Sequence, residues 1–510
     1  MHVGPITRRQ LLQRIGVLGG SSLMIGAMDA WGLRGATPRG RPVLEGRQPT
    51  TRVLVLGGGI SGLVVGYELG KLDYDVRILE ARDAVGGLTW TVRRGTTHTE
   101  IGGERQVCDF DEGQYVNAGA WRIPHTDEGI LGYCKELGVP LEVFINATDA
   151  NLFYEENADI GALSGRRVRL REVKADLWGA TTELLAKAMD AGNIDVPLTE
   201  EDAELLIQFL VRSGYLDDED LVYSPPEARR SSERHDLSAL LQSGFWARAR
   251  SLNQETGGPA PLFQPVGGMQ QISFGFERVM RDRITLQAEV VSIRQTADEV
   301  RVVWRSTRTG ETHEEVADYC ICCLPMSVLK GIDVSLSPEM AQAVSETGQA
   351  AVAKMGLQMA RRFWEEDEGI FGGHLWSRSL QLGEFSYPSN GYFGQKGVLL
   401  GYYGSSAQAG LDAMPVAGRV EHVLRQASKV HPQIHEEFES AYCVWWEKVP
   451  HSLGGYGRTP AQDLLSRLSR PDGRIYMASA NASSQPAWLE GAVEAGWRAL
   501  EAVHARASEA

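Results

Sequence analysis

Three kinds of sequence feature are scarce in this chain, and each scarcity excludes a class of protein. No apolar run reaches the ~20 residues that a bilayer-spanning helix needs, so no membrane span is predicted. Basic residues are in deficit, because 51 Lys and Arg stand against 66 Asp and Glu, a net charge of −15. A charge of that sign argues against nucleic acid or an anionic membrane as a partner.

Cysteine is the third scarce feature, since six cysteines in 510 residues are too few and too scattered for a disulfide framework. Three of them lie in YCICCLP (319–325), where the apolar run ahead of a proline predicts a buried strand. No neighbouring Cys-x-x-Cys or histidine pair completes a metal site, so we expect core packing and no bound metal. The six are Cys108, Cys134, Cys320, Cys322, Cys323 and Cys443.

The most informative stretch is Arg52–Glu80, RVLVLGGGISGLVVGYELGKLDYDVRILE. An apolar strand, a glycine turn, an amphipathic helix and a second strand predict a βαβ unit that binds a dinucleotide. Gly57, Gly59 and Gly62 supply the G-x-G-x-x-G spacing, for a tight turn, close approach of a pyrophosphate and helix–strand packing. The positive end of the helix dipole faces the phosphates. Glu80 follows Gly62 by 18 residues, near the ~20-residue offset at which an acid binds a ribose hydroxyl.

The first 36 residues differ in kind from the rest. Thr7-Arg8-Arg9-Gln10-Leu11-Leu12 precedes a mildly apolar run of 14 residues, 15–28, which resembles a twin-arginine export signal. We therefore expect a cleaved leader and an exported protein, periplasmic or extracellular. This route suits a protein that folds around a cofactor before it crosses a membrane. The alternative is a disordered tail with a chance arginine pair, in which case the protein is cytoplasmic.

The full chain has 43% hydrophobic and 23% charged residues, and its length is sufficient for two or three domains. Residues 126–252 read as largely helical, and TEEDAELLIQFLVRS (199–213) is the clearest amphipathic piece. Its shared apolar face comprises Leu205, Leu206, Phe209 and Leu210. Strand patterns return at 284–304 and 317–325, and IYMASA (475–480) reads as a last buried strand before a helix. The cofactor domain is therefore assembled from separated pieces.

Further motifs complete a pattern: the pair Gly86-Gly87, PVGGMQQISFGF (265–276), the lysine in VAKMGLQM (352–359) and AWLEGAVEAG (487–496). Together with Glu80 they resemble the flavin amine oxidase family, which includes monoamine oxidases, polyamine oxidases and L-amino acid oxidases. The resemblance covers most of residues 52–505. It implies an α/β fold with a Rossmann-like FAD domain, a mixed-sheet substrate domain and an inserted helical region.

The resemblance also implies domain boundaries. The FAD-binding domain is expected at 50–118, 253–330 and 471–507, and the substrate-binding domain at 119–125 and 331–470. Residues 126–252 form the helical insertion, and residues 1–36 the leader.

Gly119–Pro124, GAWRIP, resembles the G-x-x-R-I-P segment of L-amino acid oxidases, whose arginine holds the substrate carboxylate. The planar fork of Arg122 matches a carboxylate bidentately. By the same resemblance Tyr387, in FSYPS, donates a second hydrogen bond to that carboxylate, and Trp488 and Tyr456 form aromatic walls beside the flavin. Each has a plainer alternative, an ion pair for Arg122 and core packing for the aromatic residues.

Lys354 follows an apolar stretch, where a lysine is costly unless it has a task or a partner. In the family this lysine reaches flavin N5 through a water and assists the reaction of reduced flavin with oxygen, whereas the alternative is a snorkelling surface lysine. The helix that begins near Glu490 would direct its N-terminus at the flavin N1 and C2 carbonyl.

The resemblance assigns the cofactor contacts to residues in every FAD segment. They are Gly57, Gly59, Ile60, Ser61, Gly62, Glu80, Ala81, Arg82, Gly86, Gly87, Gly119, Ala120, Trp121, Arg122, Val290, Ser479, Trp488, Glu490, Gly491 and Ala492. The chain departs from the family at Leu88, where arginine is usual, and at Ser479-Ala480, where Gly-Glu is usual. Monoamine oxidases attach FAD through a cysteine at the position of Gly455, so noncovalent FAD is expected. No general base is placed, and His235, His374 and His451 are candidates only by residue type.

The implied function is FAD-dependent oxidative deamination of L-amino acids. Hydride passes from substrate Cα to flavin N5, and the products are a 2-oxo acid, ammonia and hydrogen peroxide. Alternatives are an amide-forming L-amino acid 2-monooxygenase, a monoamine or polyamine oxidase in which Arg122 is structural, and a noncatalytic exported flavoprotein. The expected partners are the amino acid and O2. A homodimer is the candidate assembly, and the preferred side chain is left open.

Overall fold

The computed structural model describes residues 40–193, 198–224, 234–247 and 261–509. The predicted leader, residues 1–36, lies outside the described residues, and so does the expected boundary between 252 and 253. In the part of the chain that is described, no helix is both long enough and apolar enough to cross a membrane.

The structure is a mixture of helices and short sheets. The strands are β1 (Arg52–Leu56), β2 (Asp75–Leu79), β3 (Thr91–Arg93), β4 (Thr97–Thr99), β5 (Arg105–Val107), β6 (Tyr115–Asn117), β7 (Ile123–Pro124), β8 (Leu141–Phe144), β9 (Leu152–Phe153), β10 (Val168–Arg169), β11 (Leu262–Pro265), β12 (Ile284–Thr285), β13 (Ala288–Gln295), β14 (Val300–Ser306), β15 (Thr312–Ala317), β16 (Tyr319–Cys322), β17 (Asp333–Val334), β18 (Val352–Met359), β19 (His374–Trp376), β20 (Phe385–Ser386), β21 (Gly397–Ser405), β22 (Phe438–Trp445) and β23 (Ile475–Met477). The α-helices are α1 (Ile60–Lys71), α2 (Glu128–Glu136), α3 (Leu170–Asp190), α4 (Glu200–Gly214), α5 (Leu237–Ser243), α6 (Gln270–Met280), α7 (Met326–Leu329), α8 (Pro338–Glu346), α9 (Phe363–Glu366), α10 (Val416–Ala427), α11 (Ile434–Glu437), α12 (Gln462–Leu468) and α13 (Leu489–Glu509).

The predicted βαβ unit is confirmed as β1, α1 and β2, with β1 and β2 parallel. They belong to a five-stranded parallel sheet in the order β12-β2-β1-β16-β23. The two late strands are the predicted apolar runs of YCICCLP and IYMASA. Both faces of this sheet are covered, which is why its central strands are continuously apolar.

The two faces of the parallel sheet have different cover. Helices α1, α6 and α13 pack on one face in a single apolar core. On the other face, the second core includes residues of a three-stranded antiparallel meander, β13–β15. This meander forms a four-stranded sheet with β17. This arrangement leaves the carboxyl ends of β1, β2, β16 and β23 at one edge, where ligands bind in open parallel sheets.

A seven-stranded sheet in the order β10-β9-β19-β20-β21-β18-β22 forms the second half of the molecule. All eight residues of β18 are buried, because β21 and β22 pair with it on either side. Beneath this sheet Arg419 of α10 forms a buried bidentate ion pair with Glu100, and its guanidinium lies 4.1 Å from the ring centroid of Trp445.

Residues 126–252 are not helical throughout. Helices α2–α5 are present, but β8 pairs with β11, while β10 and β9 are the first two strands at one side of the seven-stranded sheet. Thr199 caps α4 as its position indicates, with its side chain accepting a hydrogen bond from the backbone N–H of Asp202. The apolar face predicted for α4 is only partly covered, since Leu210 is buried while Leu205 and Phe209 are more than half exposed.

Candidate active site

A single elongated cavity of about 1860 Å³ runs from the edge of the parallel sheet to the face of the seven-stranded sheet. Ligand pockets usually measure about 300–1,000 Å³, so the space can hold a dinucleotide and a second small molecule. One end is formed by residues that follow the parallel strands: Gly57 after β1, Glu80 after β2, Cys323 after β16 and Ser479 two residues after β23.

The glycine turn shapes that end. Gly57 has φ 101°, a backbone conformation that favours glycine, and it turns the chain from β1 into α1. A side chain at Gly59 would meet no atom within 4 Å, which leaves room for a ligand beside the first turn of α1. A Cβ at Gly62 would lie 2.0 Å from the Gly57 carbonyl oxygen, so Gly62 permits close packing and does not line the cavity.

Glu80 lies at the start of the loop after β2 and is oriented by backbone donors. Its carboxylate accepts hydrogen bonds from the N–H groups of Gly58 (2.7 Å) and Arg82 (2.9 Å). A carboxylate has about four acceptor positions, so capacity remains for ribose hydroxyls. At the other side of the cavity the buried Oγ of Ser479 has no hydrogen-bond partner among the described residues. These groups fit the ribose and other polar parts of a dinucleotide.

The opposite end of the cavity is organised around the indole of Trp121. Lys354 Nζ lies 4.7 Å from its ring centroid, and the Arg122 guanidinium carbon lies 5.1 Å away, both distances within the range of cation–π contacts. The ring of Tyr403 packs edge-on at 5.6 Å. Trp488 also lies near Arg122, with its ring centroid 5.9 Å from the guanidinium carbon.

Lys354 occupies the middle of β18 with only 3% of its surface exposed. Its ammonium donates hydrogen bonds to the backbone oxygens of Asn117 (3.3 Å) and Gly119, the residues that lead into Arg122. Burial lowers the pKa of Lys354 to about 7; Glu384 opposes this shift and Arg122 adds to it. The group therefore changes charge near neutral pH and can act on a developing anion.

Arg122 is 9% exposed and lies on the cavity wall immediately before β7. Its Nη1 donates a hydrogen bond to Asn146 Oδ1 at 3.0 Å. A buried guanidinium that faces a cavity is suited to bind an anion there, because the surrounding aromatic rings exclude water.

The structure places most of the predicted site residues on the cavity wall. They are Gly57, Gly59, Ile60, Ser61, Glu80, Ala81, Arg82, Gly86, Gly87, Gly119, Ala120, Trp121, Arg122, Val290, Lys354, Tyr456, Ser479, Trp488 and Ala492. Four do not line it: Gly62, Tyr387, Glu490 and Gly491.

The prediction for Tyr387 is wrong. Its side chain is 2% exposed in the core of the substrate sheet, and its hydroxyl lies 2.8 Å from His431 Nε2. Tyr403 lines the cavity together with the predicted Tyr456, and sequence reasoning missed it. Tyr403 is opposite Lys354 in the β18–β21 pair, so both side chains point to the same face.

The predictions for Glu490 and Gly491 are also corrected. The Glu490 carboxylate accepts hydrogen bonds from the N–H groups of Gly129 (2.8 Å) and Ile130 (2.9 Å), so it caps α2 from outside the cavity. A Cβ at Gly491 would lie 2.1 Å from the Gln485 carbonyl oxygen, so this glycine allows close packing at the start of α13. Leu489 and Ala492 of the same helix do line the cavity.

The three candidate histidines are separated in space. His451 lines the cavity at the end near Glu80 and lies 3.7 Å from Glu289. His374 is buried behind Trp121, with ring centroids 5.6 Å apart. His235 lies 3.6 Å from Glu172 and outside this cavity. None of the three meets the substrate end of the cavity directly.

The fold and this cavity define a protein of the α/β dinucleotide-binding class, with residues of both halves lining the cavity. Comparison with known proteins makes the class specific, because the sequence model of the flavin-containing amine oxidoreductase family matches residues 60–504. The chain belongs to that family, which implies a flavin cofactor.

Two relatives and one solved structure illustrate the similarity. The chain is 24% identical over 488 residues to an L-amino-acid oxidase of Notechis scutatus scutatus, covering 90% of this chain and 87% of the relative. It is 26% identical over 492 residues to the flavin-dependent L-tryptophan oxidase RebO of Lentzea aerocolonigenes, with 89% and 98% covered. A structure of putrescine oxidase bound to putrescine shares the fold, with a TM-score of 0.60, 20% identity, and 89% and 99% covered.

Proposed function

We propose that the protein is an FAD-dependent L-amino acid oxidase. In the overall reaction an L-amino acid, O2 and water give a 2-oxo acid, ammonia and hydrogen peroxide. The observation that carries the proposal is the buried guanidinium of Arg122 on the wall of the cavity, near the rings of Trp121 and Trp488. The names of the L-amino-acid oxidase and L-tryptophan oxidase relatives agree with it.

Substrate binding rests on four side chains. Arg122 pairs with the carboxylate, which in this enclosed site is worth more than in water because the aromatic neighbours lower the local dielectric. Tyr403 lies beside Lys354, and its hydroxyl is the candidate second donor to the carboxylate. Tyr456 and Trp488 line the cavity and confine the amine between apolar faces.

When bound, FAD would supply the acceptor for a hydride from the substrate Cα and the two electrons that reduce O2. The chain contributes orientation and charge. The glycine turn and the N-terminus of α1 would hold the phosphates, and Glu80 and Ser479 would present acceptors and a hydroxyl. Lys354 would place a positive charge near O2 as O2 is reduced. Gly455 stands where a covalent cysteine would be needed, so FAD is held noncovalently.

The test compares L-phenylalanine with phenethylamine, which differ only by the carboxylate, and scores peroxide, 2-oxo acid and amide. We expect Arg122→Met to raise KM for L-phenylalanine by about 30- to 1000-fold, since a charge-assisted bidentate contact is worth about 2–4 kcal/mol. KM for phenethylamine should change little. Arg458→Met is the matched control, because Arg458 lines the same cavity but is exposed.

Three outcomes contradict the proposal. Wild-type protein that oxidises amines and ignores amino acids would show an amine oxidase, and amide with CO2 would show a monooxygenase. An unchanged KM in Arg122→Met would remove the carboxylate contact from Arg122.

We also propose export and dimerisation. Export rests on the Arg8-Arg9 pair ahead of the apolar run, and Arg8→Lys together with Arg9→Lys should retain the protein in the cytoplasm. Sedimentation at several concentrations measures the assembly. Both proposals are independent of the chemistry at Arg122.

A further inference from the structure

Behind Arg122 a row of buried polar side chains leads away from the cavity. Asn146 Oδ1 accepts the hydrogen bond from Arg122 Nη1 at 3.0 Å, and it also lies 3.1 Å from His374 Nε2. The other ring nitrogen, His374 Nδ1, lies 2.6 Å from Ser386 Oγ. Neither His374 nor Ser386 is more than 3% exposed, and neither they nor Asn146 line the cavity.

The direction of the hydrogen bond between His374 and Asn146 follows from the groups involved. An amide oxygen only accepts, so Nε2 of His374 carries a proton and donates a hydrogen bond to Asn146 Oδ1. On the other side of the ring, Nδ1 is within hydrogen-bond distance of the Ser386 hydroxyl. The ring of His374 is therefore held at both nitrogens, as for histidines that orient a functional group through their second nitrogen.

The row is fixed by the sheet. His374 and Ser386 are opposite one another in the antiparallel pair of β19 and β20, so their side chains share a face. The ring of His374 also packs against Trp121, the residue before Arg122. Asn146, two residues after β8, then connects this rigid face to the guanidinium.

We propose that His374 is a positioning residue that holds Arg122, through Asn146, in the orientation that binds the substrate carboxylate. The proposal rests on the proposed role of Arg122 and extends it. His374 does not touch the substrate, so its loss weakens binding of the carboxylate and leaves binding of an amine without one unaffected. A guanidinium fork that loses one of its orienting contacts meets the carboxylate less often in the bidentate geometry.

Two substitutions at the same position separate positioning from packing. The side-chain amide of His374→Gln can reach the place of Nε2 and donate to Asn146, whereas that of His374→Asn ends near Nδ1 and cannot. We expect His374→Asn to raise KM for L-phenylalanine about tenfold, the loss of roughly one hydrogen bond, with kcat and the phenethylamine KM unchanged. His374→Gln should restore most of the loss.

Direct binding gives a readout that is independent of turnover. 3-Phenylpropanoate carries the carboxylate but no amine, and its Kd for the FAD-loaded protein is measured by calorimetry. We expect Kd to rise about tenfold in His374→Asn and to return toward the wild-type value in His374→Gln. Ser386→Ala, which removes the hydroxyl beside Nδ1, should also raise Kd, by a smaller factor than His374→Asn.

His431→Asn is the control, because His431 is buried in the same substrate sheet core and contacts Tyr387 instead of Arg122. Equal effects of His374→Asn on L-phenylalanine and phenethylamine, or equal effects of His374→Asn and His431→Asn on Kd, would overturn the proposal. So would wild-type binding in both His374→Asn and Ser386→Ala. If Arg122→Met changes neither the KM for L-phenylalanine nor the Kd for 3-phenylpropanoate, the proposed function itself has failed. This outcome is distinguishable because it does not depend on any His374 variant.

Discussion

Lys354 is the residue whose chemistry depends most on its surroundings. It lies in a fully buried strand beneath Trp121 and Tyr403, and its ammonium is held by two backbone oxygens. We expect Lys354→Met to slow reoxidation of the reduced enzyme by O2 more than reduction by substrate, because negative charge develops beside this residue only in the second step. Anaerobic stopped flow measures reduction, and mixing reduced enzyme with O2 measures reoxidation.

The pKa of Lys354 gives this prediction a pH dependence. Burial lowers the pKa to about 7, so the cation is present below that pH and is lost as the pH rises through it. The rate of reoxidation of the wild type should therefore fall as the pH rises. The midpoint of this fall should lie above pH 7, because the negative charge of the bound cofactor raises the pKa of Lys354. Lys354→Met should be slow and show no such titration. A variant that is slow only in reduction would assign Lys354 to the substrate half-reaction.

Two adjacent tyrosines of β21, Tyr402 and Tyr403, allow a test of which hydroxyl contacts the substrate in place of Tyr387. Tyr403→Phe should raise KM for L-phenylalanine by about 3- to 15-fold, the effect of one hydrogen bond of about 1 kcal/mol. Tyr402→Phe should leave KM unchanged, because Tyr402 points to the other face of β21, where its ring stacks on Trp445. Tyr387→Phe should also leave it unchanged. Steady-state kinetics of the three variants decides which hydroxyl contacts the substrate.

The sequence located Lys354 and Arg122 because a charged residue in an apolar context is conspicuous within a single segment. It misplaced the tyrosine because strand residues alternate faces, and a one-residue change of register reverses which of them meets the cavity. Register depends on pairing between β18 and β21, some 50 residues apart, which the local pattern does not contain. The opposite positions of Lys354 and Tyr403 were the only available signal.

At the scale of elements, a side chain from the start of helix α13 caps the N-terminus of helix α2. Glu490, near the N-terminus of α13, accepts two backbone N–H groups of α2, whose own first residues offer no side-chain cap. We expect Glu490→Gln to lower the free energy of unfolding by about 1–3 kcal/mol. The amide oxygen of glutamine can accept from one of the two backbone N–H groups, but its NH2 group faces the other N–H and cannot accept from it. Denaturant unfolding at constant FAD measures the change.

Glu509→Gln on the same helix is the control, because Glu509 is exposed at its far end. If Glu490→Gln lowered the affinity for flavin without lowering the free energy of unfolding, Glu490 would contact the cofactor, as the sequence predicts. Helix α13 itself was predictable from its pattern, but the direction of one carboxylate was not, since α2 lies some 360 residues earlier in the chain.

The elements that the sequence predicted well are those whose pattern is local. The βαβ unit, β16, β23 and helix α4 all carry their signal within about 30 residues. Strands β8–β10 were read as part of a helical region because each has only two to four residues, too few to show a period of two. Their partners in β11 and β19 supply the stability that their own sequences lack.

At the scale of the whole molecule, the cavity lies between two sheets, and a cofactor bound there would contact both of them. FAD should therefore raise the melting temperature, with a stabilisation of about 2.7 kcal/mol at a free concentration 100 times its Kd. Acid or heat should release FAD into the supernatant, since no covalent residue stands at Gly455. Absorbance and chromatography of the two fractions check this, and flavin that stays with the precipitated chain would contradict it.

The order of strands in the parallel sheet determines when during synthesis the protein can first hold its cofactor. Val53 lies opposite Tyr319, 266 residues later, and Cys320 lies opposite Ile475, a further 155 residues on. At about 5–20 residues per second, a ribosome takes roughly 20 to 80 s to pass from β1 to β23. Throughout that interval the glycine turn exists without its neighbours, so a nascent chain that stops short of β23 has no complete cofactor site. The long-range pairings therefore make completion of the cofactor site a late step, which waits until β23 has joined the sheet.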